Sequence, residues 1–172
     1  MKKQIVSAVV ASVLLAGNVY GAQRYFGLGY AMTQSSSSDD SGYLIDMGIK
    51  FGEKFKNRVG MEFTLRQTSD ANSGLGNYIG LYYSLGYEVL DDFTLAANVG
   101  YAFENVGSVS SSSTQSNIYA TGMSYGIGSY YDFTKHISIG LEYKKYDLTY
   151  EDSFLTLKDD IDSLGLKVFY NF

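Results

Sequence analysis

The sequence predicts an all-β fold, an eight-stranded antiparallel up-and-down transmembrane β-barrel. Three observations carry the prediction. Beyond residue 21 the chain reads as eight segments in which large apolar residues alternate with small or polar ones, the two-residue period of a strand. Twelve glycines (Gly27, Gly29, Gly48, Gly60, Gly80, Gly86, Gly100, Gly122, Gly126, Gly128, Gly140 and Gly165) all take the phase opposite the bulky residues, as a sheet curved tightly around its small-residue face requires. The connections alternate long and short, as when one rim of a barrel is elaborated.

Composition narrows the field. A chain of 172 residues makes one domain with a substantial interior. The net charge of −5 argues against nucleic acid as a partner, because phosphate recognition needs clustered Lys and Arg. Cysteine is absent and His136 is the sole histidine, which excludes disulfides and multi-histidine zinc sites. Proline is also absent, which suits strands whose N–H groups all need ladder partners.

The N-terminus predicts a cleaved signal peptide over residues 1–21, followed by the barrel over 22–172. Lys2 and Lys3 give a positive start, Ile5 to Gly17 an apolar run, and Val19-Tyr20-Gly21 a small-x-small end. The run is too short to span a membrane as a helix, which takes about 20 residues. Cleavage after Gly21 would remove two lysines and leave a mature charge of −7 (−5 − 2).

The first strand is expected near Arg24 to Met32, with Phe26, Leu28, Tyr30 and Met32 on one face, ending in the polar loop Gln34 to Asp40. The second, Tyr43 to Phe51, sets Tyr43, Ile45, Met47, Ile49 and Phe51 against Leu44, Asp46, Gly48 and Lys50. After a turn at Glu53 to Asn57, the third, Arg58 to Gln67, sets Val59, Met61, Phe63 and Leu65 against Gly60, Glu62, Thr64 and Arg66. A loop from Thr68 to Gly76 leads to the fourth, Asn77 to Val89, with Tyr82, Ser84 and Glu88 among its opposite-face residues.

The tight turn Leu90 to Phe93 opens the fifth strand, Thr94 to Glu104, followed by a serine-rich loop from Asn105 to Ser116. The sixth, Asn117 to Tyr131, carries Ser124 and Tyr130 among its inward glycines. A turn from Asp132 to His136 precedes the seventh, Ile137 to about Leu148, where Glu142 and Lys144 oppose Leu141 and Tyr143. An acidic loop, Thr149 to Asp160, precedes the eighth, Ile161 to Phe172.

Which face meets lipid follows from the charges. The small-residue face holds Asp46, Glu62, Glu88, Glu104 and Glu142 against Lys50, Arg66, Lys144 and Lys167, near the balance that a closed interior of paired charges needs. The bulky face carries aromatics in two rings: Tyr30, Tyr43, Tyr101, Phe103, Tyr119 and Tyr143 toward the long loops, and Phe26, Phe51, Tyr87, Tyr131, Tyr170 and Phe172 toward the short turns. Two girdles around a mostly aliphatic band match the two interfaces of a bilayer.

With these features the chain resembles the small eight-stranded outer-membrane barrels of Gram-negative bacteria, of the OmpX and OmpA-transmembrane-domain type. The closest local likeness is the C-terminus, where Leu164, Leu166, Val168, Tyr170 and Phe172 share one face. The resemblance implies that this strand is the signal read by the outer-membrane assembly machinery. It also implies a setting of outer-membrane lipid and lipopolysaccharide. The stop at Phe172 leaves no periplasmic peptidoglycan-binding domain, an expectation that separates the chain from full-length members of the OmpA kind.

Three functions are then open. The first is a structural or surface-interaction barrel, non-catalytic and adhesion-like, contacting host or cell-surface ligands through its loops. The second is a narrow, porin-like channel, against which stands the bore of eight strands, just filled by side chains. The third is a lipid-modifying enzyme, which needs a nucleophile and base in contact, and His136 in a short turn is a poor base for it. No cofactor or metal is expected: the acids Glu151, Asp152, Asp159, Asp160 and Asp162 lack the spacing and glycine of a calcium loop and read as solvated.

Overall fold

Alternation of this kind leaves each strand with one apolar and one polar face, and the chain satisfies both by closing on itself. A computed structural model describes residues 21–35, 39–67, 77–111, 114–151 and 156–172. They form β1 (Gln23–Gln34), β2 (Asp39–Phe51), β3 (Phe55–Gln67), β4 (Asn77–Leu90), β5 (Phe93–Ser111), β6 (Thr114–Asp132), β7 (Ile137–Glu151) and β8 (Thr156–Asn171). Each strand pairs antiparallel with the next and β8 pairs with β1, so the sheet is a closed barrel. Closure pairs the backbone N–H and C=O groups within the wall, the condition for crossing hydrocarbon.

The register fixes the geometry. Stepping across the ladder from Gln23, successive partners are Lys50, Arg58, Ser84, Asn98, Gly126, Lys144, Ser163 and finally Thr33 on β1 again. The circuit returns ten residues along β1 (33 − 23), and this stagger tilts the strands by about 35–45° from the barrel axis. Residues at one height therefore come from different ladder rows.

The two faces are inverted relative to a water-soluble protein. Leu28, Leu85, Leu95, Val99, Ile127, Leu141, Leu166 and Val168 are exposed on the outside, whereas Asp46, Glu62, Glu142, Lys144 and Lys167 are buried inside. Of the twelve aromatics assigned to girdles, ten are exposed on the outer wall; Phe51 is half-buried, and the side chain of Tyr119 lies outside the described residues. Neighbouring rings pair edge-on, Tyr30 with Tyr43 at 5.9 Å and Tyr170 with Phe172 at 5.0 Å.

Two expected loops are shorter than the composition suggested. The serine-rich stretch 105–116 continues the ladder, β5 running to Ser111 and β6 starting at Thr114, with a register shift between Asn105 and Gly107. Similarly, β7 reaches Glu151 and β8 begins at Thr156, inside the expected acidic loop. An antiparallel ribbon needs only backbone pairing to continue, and beyond the bilayer neither face has to be apolar, so alternation stops before the strand does. The loop expected at Thr68 to Gly76 lies outside the described residues, as do residues 1–20.

Inside, most of the strand glycines mark contacts with no room for a side chain. A Cβ on Gly126 would strike the carbonyl of Tyr143, and one on Gly140 would lie 2.7 Å from the Tyr130 ring and 2.9 Å from that of Phe169. Gly80 differs, since a Cβ there meets nothing within 4 Å. At the short-turn end, Gly52 (φ 91°) uses the left-handed region.

At the seam, the N–H of Asn171 donates to the His136 carbonyl at 2.7 Å and that of Phe172 to the Arg24 carbonyl at 2.8 Å. The His136 ring stacks on Tyr170, with centroids 5.8 Å apart.

The glycine contacts set opposite expectations for two substitutions. Gly126→Leu should abolish assembly, read as loss of heat-modifiable gel migration of detergent-folded protein. Gly80→Ala should assemble and gain about 0.4–1 kcal/mol in urea unfolding, since it restricts the unfolded chain where the folded one has space.

Candidate functional site

The lumen is the built part of this molecule, and charge organises it. Lys167, on β8, places its Nζ 2.7 Å from Asp46 Oδ2 on β2 and 2.8 Å from Glu142 Oε2 on β7, and it also bonds Glu62 on β3. Lys144, on β7, bonds Glu62 Oε2 and Glu142 Oε2, each at 2.8 Å. β3 and β7 lie four places apart in a ring of eight, so the Lys144–Glu62 pair crosses the barrel between opposite walls.

Each carboxylate also accepts from a phenol. Tyr82 donates to Asp46 Oδ1 at 2.7 Å, Tyr146 to Glu62 Oε1 at 3.0 Å, and Tyr130 to Glu142 Oε1 at 2.5 Å. Because the single proton of Tyr82 is committed to Asp46, the 2.6 Å contact between Tyr25 and Tyr82 has Tyr25 as donor. Ammonium on one oxygen and phenol on the other satisfies these buried anions, without which they would be prohibitive.

Several of these charges face glycines across the ladder: Asp46 faces Gly27, Glu62 faces Gly80, Lys144 faces Gly126, Lys167 faces Gly29 and Gly140, and Glu142 faces Gly128 and Gly165. A Cβ on Gly29 would lie 2.8 Å from Lys167 Cγ and one on Gly128 3.3 Å from Glu142 Cγ, so there the missing side chain makes room for the charge. At Gly140 the space is taken by Tyr130 and Phe169, at Gly165 by Leu44, and at Gly80 it is open.

Below this layer, toward the short turns, Arg58 is buried against aromatic faces. Its Cζ lies 3.7 Å from the centroid of Tyr130, 4.9 Å from Phe169 and 5.6 Å from Tyr25. Three carboxylates (Asp46, Glu62, Glu142) then balance two ammoniums and one guanidinium. Above the layer, Tyr78, Tyr146, Leu148, Ile161, Ala102 and Ala120 pack as an apolar cluster.

Of the nine residues expected as an interior charge network, the structure brings together Asp46, Glu62, Glu142, Lys144 and Lys167. Lys50 pairs instead with Asp132 at 2.6 Å near the short-turn mouth, and Glu88 lies 3.5 Å from Lys56 at the same rim. Glu104 is buried near the opposite end, across the ladder from Tyr78. Arg66 lies on β3, but its side chain falls outside the described residues. Arg58 stands outside that expected set because it borders an expected turn, although it shares the inward phase of Gly60 and Glu62. Leu164, Leu166, Val168, Tyr170 and Phe172 all face outward.

His136 is committed to structure: its Nδ1 lies 2.9 Å from the Asn171 carbonyl oxygen. Of the acids considered at the outer loop, Asp162 accepts from Tyr143 at 2.7 Å and lies 3.7 Å from Lys145. No group of three or more potential metal ligands occurs among the described residues.

The sequence matches the outer membrane protein beta-barrel domain family over residues 5–172. The chain belongs to that family. It is an integral protein of the bacterial outer membrane, and the family's orientation puts the short turns in the periplasm and the longer connections outside.

Solved structures show the same fold in other outer-membrane barrels. Ail of Yersinia pestis, solved with the heparin analogue sucrose octasulfate, is 16% identical with a TM-score of 0.58, the match covering 88% of this chain and 99% of Ail. Neisserial surface protein A is 13% identical at a TM-score of 0.59, over 88% of this chain and 97% of its own. OprH of P. aeruginosa is 14% identical at 0.60, over 87% and 99%. No curated protein matches the chain.

Removing Lys167 would strand three buried carboxylates beside one lysine. Lys167→Met in this outer-membrane barrel should cost about 3–5 kcal/mol in bilayer urea unfolding. Adding Asp46→Asn should recover part of the loss, and strict additivity would show that the two do not interact.

Proposed function

We propose that this outer-membrane barrel is a non-catalytic structural and surface-interaction protein, with contacts to other cells or molecules made by its outer connections. The observation that carries the reading is the cross-barrel layer of Lys144, Lys167, Asp46, Glu62 and Glu142. It fills the bore with paired charge where a conduit would need water. The same layer counts against the narrow-channel alternative.

The outer rim bears on the class of partner. Among described side chains there, Asp39, Asp40, Asp147, Asp160 and Asp162 outnumber Lys145 and Lys158. Ail has been solved with a polysulfated sugar, but an acid-rich rim repels polyanions and favours cationic partners. Export through a signal peptide at 1–21, and delivery to the assembly machinery through Leu164, Leu166, Val168, Tyr170 and Phe172, belong to the same proposal. So does the setting among outer-membrane lipid and lipopolysaccharide.

In planar bilayers the folded protein should give no conductance steps; regular steps altered by Glu62→Gln would replace this reading with the channel. Immobilised heparin should not retain the protein at 0.15 M salt, and salt-sensitive retention would refute the inference from rim charge.

A further inference from the structure

We propose that a groove on the outer wall, at the outward ends of β7, β8, β1 and β2, is a docking site for a cationic amphipathic helix presented by another molecule. The proposal rests on the surface-interaction reading above and narrows its partner to this class. Two ladder rows build the groove. The outermost runs Lys145, Asp162, Gln34 and Asp39, and the next toward the bilayer runs Tyr143, Leu164, Met32 and Ser41. All eight take the outward phase, and members of both rows, with Tyr30 beneath them, line a volume of about 830 Å³.

The two rows differ sharply in chemistry. Tyr30, Met32, Tyr143 and Leu164 are exposed and form an apolar floor where the wall meets the acyl region. Directly above them stand two carboxylates. Asp39 is exposed, and Asp162 keeps 41% of its side-chain surface. Tyr143 and Lys145 both approach Asp162 at Oδ1, at 2.7 and 3.7 Å, which leaves Oδ2 to accept from a partner. Lys145 is the one cation of the row and stands at its far end, outside the groove lining.

Spacing selects the occupant. Gln34 is the ladder partner of both Asp39 and Asp162, so the two acids stand two strands apart, about 10 Å. That is too far to share one metal ion, whose oxygen ligands lie within about 2.6 Å of it. A lipid amine brings one charge and answers one acid. Basic residues seven apart on a helix are about 10 Å apart on one face, and can answer both. A helix at a membrane boundary turns its apolar face toward the acyl chains, and here that face meets Met32, Leu164 and the two tyrosines. Charge and apolar surface thus call for the same partner.

The test uses the full barrel in phosphatidylcholine nanodiscs, whose lipid has no net charge, and a fluorescent amphipathic helix made only of Leu and Lys. By anisotropy at 0.15 M salt the helix should bind barrel discs more tightly than empty discs, and 1 M salt should weaken the difference. Asp39→Asn and Asp162→Asn should each weaken binding about threefold and together about tenfold, as exposed ion pairs allow. Met32→Ser should weaken it through the floor. Heat-modifiable migration shows that each variant is folded. Asp147→Asn removes the same charge outside the groove and should change nothing; a loss equal to that of Asp162→Asn would reduce the effect to rim charge and overturn the site. Displacement of the helix by equimolar dodecylamine, sensitive to Asp162→Asn alone, would assign the groove to a lipid amine instead. Binding no tighter than to empty discs would also overturn the site while leaving the surface role standing, whereas conductance steps would remove that role.

Discussion

The interior of this barrel depends on one ammonium group. Lys167 bonds carboxylates from β2, β3 and β7 while itself standing on β8, so a single side chain ties four of the eight strands. Ladder hydrogen bonds join each strand only to its neighbours. Lys167, and Lys144 across from Glu62, supply connections between walls that the backbone cannot make. In a low-dielectric bore these attractions are strong, and for the same reason no member can be removed without stranding a charge.

That layer explains the tyrosines and glycines inside. A carboxylate has more acceptor capacity than one ammonium fills, and Tyr82, Tyr146 and Tyr130 supply the remaining donors from other strands. Phenols suit the position because they bring one proton on a rigid apolar ring, which packs where it does not bond. Gly29 and Gly128 leave room beside Lys167 and Glu142, and Gly140 leaves it for the rings of Tyr130 and Phe169.

Much of this was legible in the chain, and what was not has a specific cause. Strand number, the inward phase and the outward aromatics follow from a period of two, which a sequence displays directly. Pairing does not. Glu62 and Lys144 are 82 positions apart, and they meet only because the circuit closes with a ten-residue offset. The inward phase of Tyr82 and Tyr130 could be read, but not that each answers a particular acid. Arg58 borders an expected turn, where a single inward charge carries no pattern, and serine-rich 105–116 conceals a ribbon because outside the bilayer neither face of a strand has to be apolar.

The long β5–β6 ribbon has a consequence for how this protein can change over time. At the periplasmic end β4 and β5 are joined by the two-residue Asp91–Asp92 turn, with Asp92 in the left-handed region (φ 65°), so little chain lies there in which length can vary. At the outer end the ladder has already passed the packed bore. Residues can be added or lost in opposed pairs, one on each strand, without altering the closing offset. Length variation in descendants of this chain is therefore channelled to the outer side of the membrane, where the ribbon can diversify while the part that must fold stays constant.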